Sequence, residues 1–155
     1  MSKLFKISGN FKKDGKWGSV DPYFTGEIIL VNNDVFYGYL NESKETKYVV
    51  GVITEDKNGV TDAQFYIMSN DCGVLPVFCN TQGEGGNLKG RWYEMKYHLS
   101  NKNPYTFFPK SSTRITLEKE SYSRKAENRI EGKFKDLKQN TAINGRIIRS
   151  VLEFS

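Results

Sequence analysis

The sequence predicts an all-β fold, an antiparallel up-and-down closed β-barrel of about eight or nine strands with a short C-terminal helix, in one domain spanning residues 1–155. Three observations predict it. Apolar and polar residues alternate with period two in short runs. Turn residues separate these runs at the close spacing of sandwiches and barrels rather than βαβ units. In six of the runs a glycine falls on the apolar parity between two large side chains. A glycine inside a strand forfeits packing and costs about 0.5–1 kcal/mol relative to alanine, so its recurrence at one place needs a structural reason. A sheet that closes must coil, and glycine on the concave face lets the backbone bend without a Cβ collision. Closure also removes unpaired edges. A chain of 155 residues is long enough to bury about 70% of its unfolded surface without a metal or a disulfide.

The elements follow in order. The first strand, near 3–12, carries Ile7, Gly9 and Phe11 on one parity, and the second, near 23–31, carries Phe24, Gly26 and Ile28. Asn32, Asn33 and Asp34 supply a hairpin turn into the strand near 35–41, with Phe36, Gly38 and Leu40, and the strand near 46–54 follows with Val49, Gly51 and Ile53. Asn58 and Gly59 tolerate positive φ and turn the chain into the strand near 61–69, where the small Ala63 stands beside Phe65 and Ile67. Strands near 74–80 and 87–96 come next, the latter with Leu88, Gly90 and Trp92. The stretch QGEGGN at 82–87 leads into a strand rather than a helix and lacks the Lys-Ser/Thr ending of a phosphate loop, so it reads as a hairpin loop. Strands near 112–119 and 128–137 complete the set, the last through Ile130, Gly132 and Phe134; residues 122–128 fit a short helix or a loop. Ile143, Ile147, Ile148, Val151 and Leu152 then fall at helical spacing after Asn140 and Thr141, two candidate N-caps.

Two-residue hairpins at Asn32/Asn33 and Asn58/Gly59 would reverse the parity and turn Tyr37 and Tyr39 inward; three-residue loops there keep the glycines on one face and are the expected choice. Val35, Tyr37, Tyr39, Tyr48, Val50, Val52, Tyr66 and Met68 then form an outward apolar patch, which should be covered by the C-terminal helix through Ile143, Ile147 and Val151, or by a second copy in a homodimer.

Charge is uneven along the chain: +4 over residues 1–13, −7 over 14–84 and +8 over 85–155. A cationic flank of Lys3, Lys6, Lys12, Lys13, Arg129, Lys133 and Lys135 would suit an anionic partner. Nucleic acid is disfavoured as that partner, because no RNP-like motif is present and Glu127 and Glu131 interrupt the run. Cys72 and Cys79, with His98 as the only histidine, are too few for a zinc site, and two reduced thiols are expected. No cofactor is expected. The start lacks a signal-peptide core, no stretch approaches the roughly 18 apolar residues of a membrane span, and a cytoplasmic location is the expectation.

The residues Gly9, Asn10 and Phe11 resemble the G-x-W of lipocalins with Phe in place of Trp, and Gly90, Arg91, Trp92 repeats the pattern in a later strand. With the meander from 23 to 96 and the helical end, the chain resembles the calycin group of lipocalins, fatty-acid-binding proteins and avidins. Arg129 is the counterpart offered for the lipocalins' closing arginine. The resemblance implies a non-catalytic protein that holds a small apolar or amphiphilic ligand inside the barrel, lined by Phe36, Phe65, Trp92 and Phe134. The loop from 97 to 112 carries Tyr97, Tyr105, Phe107 and Phe108; these residues, with Trp17 and Tyr23, would close one end over the ligand or plug it as core. Glu94 follows Trp92 on the inward parity and is expected to meet Arg114 from a nearby strand, which makes it the one candidate for acid–base chemistry. The alternatives to a ligand carrier are a protein-interaction barrel or polyanion binder without a cavity and, behind these, an enzyme using Glu94.

Overall fold

The computed structural model describes residues 2–13, 15–17, 22–71, 73–99, 105–137 and 142–153. Cys72 and the cap candidates Asn140 and Thr141 lie outside these residues, and the side chains of Tyr105, Ile143, Val151 and Leu152 lie outside the described set as well. Strands β1 (Lys3–Lys13), β3 (Phe24–Leu30), β4 (Val35–Glu42), β5 (Glu45–Asp56), β6 (Gly59–Met68), β7 (Val77–Glu84), β8 (Asn87–Tyr97) and β9 (Tyr105–Glu120) pair antiparallel in sequence order. β9 returns to β1, from Leu4↔Glu120 through Phe11↔Thr113, and closes an eight-stranded up-and-down barrel. A short β2 (Lys16–Trp17) folds back on the end of β1. No helix among the described residues is long and apolar enough to cross a membrane.

The glycine face is real in five of the six runs. Pairings such as Ile7↔Gly26, Ile28↔Gly38, Gly38↔Val49, Gly51↔Phe65 and Gly90↔Thr81 set the glycines among the buried residues of one core cluster. The cause is close strand approach. A Cβ on Gly26 would lie 1.9 Å from the Tyr39 carbonyl oxygen, and one on Gly38 would lie 2.1 Å from that of Glu27. No side chain fits there, so the ribbon can coil tightly only where side chains are missing.

At Asn32, Asn33 and Asp34 the expected three-residue loop keeps the parity, with the Val31 N–H donating to the Val35 carbonyl at 2.9 Å, whereas after β5 a different route does so. At Asn58 the hairpin is a two-residue turn, with Asp56 opposite Gly59, but a bulge between Thr54 and Glu55 adds the residue that restores the face. The β4–β5 turn is two residues, with Ser43 at φ 51°, and sets Gly38 opposite Val49 and Gly51 opposite Phe36 on the shared face. The QGEGGN stretch is a tight turn with Gly85 and Gly86 both at positive φ. Its tip folds across the end of the barrel: the Gly86 N–H donates to the Val60 carbonyl, and the Leu117 N–H donates to the Gly86 carbonyl, both at 2.8 Å. That end is thereby laced shut.

The ninth expected strand, near 128–137, is instead the helix α1 (Arg124–Lys135). Ile130 and Phe134 fit both a period of two and a helical spacing of four, and three further features decide for helix. Ala126 extends the i, i+4 series; the Ser123 hydroxyl accepts from the Ala126 N–H as N-cap; and the segment is rich in Lys, Arg, Glu and Ala. Phe134 therefore does not line the interior. It packs on the outside, with its ring 4.8 Å from that of Tyr37 and 6.4 Å from that of Tyr48. A second helix, α2 (Ala142–Glu153), adds Ile147 and Ile148 to the same outer cluster. Most of the outward patch is thus covered by two helices, chiefly α1, on the face that a second copy would have used, while Val52 stays exposed and Tyr66 partly exposed. Arg129, on α1, is not near a barrel opening; its guanidinium donates to both carboxylate oxygens of Glu27 at 2.8 and 2.6 Å and clamps the helix to β3.

Candidate functional site

At the end opposite the Gly86 lacing, the barrel opens into a cavity of about 510 Å³. Its residues come from the strand ends that meet there: Phe11 and Lys13 from β1, Glu42 from β4, Lys47 from β5, Val77 from β7 and Trp92 from β8. The floor is aromatic, with the Phe11 ring 5.1 Å from Trp92, 5.4 Å from Phe24 and 6.1 Å from Tyr23. The connection after β6 folds over one side. Asp71 fixes it, its carboxylate accepting from the Gly73 N–H at 2.9 Å and its carbonyl from the Val74 N–H at 3.1 Å, which holds Val74 and Leu75 in the cavity wall. Val74 remains 47% exposed, an apolar side chain held at the opening.

The rim is charged. Lys47 pairs with the buried Glu42 at 2.8 Å, and Lys110 pairs with Glu94 at 3.4 Å. Lys13 has no carboxylate partner among the described residues; its ammonium donates to the Tyr23 hydroxyl at 3.0 Å and lies 4.2 Å from the centre of the Tyr23 ring. Below the rim the Trp92 indole Nε1 is buried and finds no hydrogen-bond partner among the described residues. A buried donor without an acceptor costs about 1–3 kcal/mol. Deeper in the wall, Cys79 is a free, fully buried thiol, and burial, followed by the charge of Glu42, pushes its titration up out of the reactive range.

The structure divides the residues expected to hold a ligand. Trp92 and Glu94 line the cavity together. Phe36 and Phe65 are fully buried, their rings 5.9 Å apart in the packed core, and neither lines the opening. Phe107 is not a lid. Residues 105–112 of that segment belong to strand β9, and the pairing Met95↔Phe107 beyond the Trp92/Tyr93 bulge turns this ring to the outer face, 6.1 Å from Tyr66 and 5.9 Å from Phe78. Phe134 belongs to α1. Glu94 does not meet Arg114, because the register sets Glu94 opposite Phe108 and Arg114 opposite Lys89. Arg114 instead lies 3.8 Å over the Trp17 ring.

Glu42 and Lys47 escaped the sequence reading although the signal was present. Extending the inward parity two residues past Leu40 reaches Glu42, and stepping two back from Val49 reaches Lys47. Among the described residues no cluster of His, Cys, Asp or Glu is suited to hold a metal ion. No family model matches the chain, and comparisons with curated proteins and with solved structures give no match either.

Proposed function

We propose that the protein is a non-catalytic binding protein of calycin-like design that takes a small amphiphile, tail inward, through the open end of the barrel. The observation that carries this reading is the cavity of about 510 Å³, within the range of small-molecule sites, with aromatic walls and a charged rim. One feature favours an anionic head group: Lys13 is the rim cation with no carboxylate partner among the described residues. In this reading the tail lies at the mouth rather than along the whole barrel axis, because Phe36 and Phe65 fill the core, and burial of its apolar surface drives affinity at about 25 cal/mol per Å² before association costs.

Thermal shift with dodecanoate and with dodecanol tests both parts. Each should raise the melting temperature, and Lys13→Gln should weaken dodecanoate by about tenfold, the worth of one charge-assisted hydrogen bond, while leaving dodecanol unchanged. Absence of any shift with both, together with no small molecule released between native and denaturing mass spectra, would overturn the reading.

A further inference from the structure

The outward side of β7, β8 and β9, away from the mouth, arranges its residues in three cross-strand rows. Gln82, Lys89, Arg114 and Asn10 stand in register from β7 to β1, and Asn80, Arg91 and Ser112 form the next row. The third is apolar: Tyr66, Phe78, Tyr93 and Pro109 pair in register, with the Phe78 ring 5.1 Å from Tyr66 and 6.0 Å from Tyr93. From β7 to β1 no carboxylate stands in these rows; Asp62, on β6 opposite Gln82, is the acid at the far edge of the first. Lys89, Arg91 and Arg114 are exposed, and none is held in an ion pair among the described residues. The Arg114 guanidinium rests over the Trp17 ring, a contact that holds the cation without neutralising it. Against the first row lies a groove of about 330 Å³ whose lining includes Lys89, Arg114, Asn10, Ser8 and Thr116 and contains no acid. The cationic flank expected from the sequence is spent differently, since Lys3, Lys6 and Arg129 are tied to Glu55, Glu120 and Glu27.

We infer that this face binds single-stranded nucleic acid. The groove receives one phosphate between Lys89 and Arg114, Arg91 meets the next, and a base rests on the partly exposed rings of the third row. Lys89 and Tyr93 are four residues apart on one strand, about 13 Å, which leaves room for backbone and base side by side. Cations alone would suit any polyanion, but the aromatic row selects bases, whose π-faces stack on such rings. A duplex hides those faces, so the strand must be single. This inference is independent of the mouth site, and its residues are not shared with it.

Fluorescence anisotropy of a labelled short oligothymidylate tests it. Binding at low salt should weaken with added salt at a log–log slope of about −1.4, from about −0.7 for each of the two phosphates met. Combining Lys89→Gln, Arg91→Gln and Arg114→Gln should weaken binding at least about tenfold and flatten the slope. Tyr93→Leu, which keeps apolar bulk without the ring, should weaken it about fivefold or more with the slope unchanged. All three cations are exposed, and Arg91→Gln alone serves if the combination fails to fold. No binding at low salt, undiminished binding by the cation variants, or displacement by poly-aspartate at equal charge would overturn the inference, the last pointing to an acidic protein as the partner.

Discussion

A methyl group at Gly38 and one at Gly132 should have opposite effects, and the contrast shows what the glycines do. At Gly38 the new Cβ would sit 2.1 Å from the Glu27 carbonyl, whereas at Gly132 nothing lies within 4 Å. Gly38→Ala is therefore expected to destabilise the barrel by about 1–3 kcal/mol, the cost of forcing packed backbone apart, and Gly132→Ala, inside a helix, to stabilise it by about 0.5–1 kcal/mol. Urea denaturation of both variants checks the signs; loss of stability at Gly132 would reject the helical account of that segment. The other glycines were legible in the sequence because a residue type costly in strands recurred on one parity. Gly132 joined them by coincidence, since Ile130, Gly132 and Phe134 satisfy both periods.

At the scale of elements, α1 is the part that alternation misassigned, and its attachment can be measured. The hydrogen bonds from Arg129, the largest influence, outweigh the cost of burial and, with the Tyr39 hydroxyl, hold the Glu27 carboxyl below its ordinary value of 4.5. Burial first, then the adjoining carboxylate, pushes Tyr39 up to about 12. Because the folded state lowers the Glu27 value, this contribution is fully present above the unfolded pKa and is lost as pH falls through the folded one. Arg129 is 44% exposed in its side chain, and solvent screening keeps the pair at about 1 kcal/mol. Glu27→Gln should thus cost about 1 kcal/mol near pH 7, with wild type and variant converging in acid below the ordinary Glu range; a gap that persists there would show that the clamp is not electrostatic. Removing the N-cap by Ser123→Ala should loosen the same helix by about 1 kcal/mol, read as faster amide exchange in α1 than in β4. Hairpin positions were legible from Asn and Gly, but the bulge at Thr54/Glu55 was not, because no residue type there announces an extra backbone unit.

For the molecule as a whole, the two ends of the barrel differ in kind. One is laced by Gly86, whose φ of 84° and whose position 2.1 Å, as a Cβ, from the Leu117 carbonyl admit no side chain. The other is held open by strand ends that finish in Lys13, Glu42 and Lys47 instead of core residues. The closed barrel could be read from periodicity, and so could the inward position of Trp92 and Glu94. The depth of the opening could not, because it depends on how far Phe36 and Phe65 fill the axis and on how the Asp71 turn folds back, neither of which has a one-dimensional signature. Of the two tryptophans, only Trp92 lines the cavity, so a Trp17→Phe protein reports on that site alone. Titration of this protein with dodecanoate should change the Trp92 emission saturably and with one-to-one stoichiometry. An emission spectrum that stays unchanged while the ligand demonstrably binds would contradict the placement of the site at the mouth.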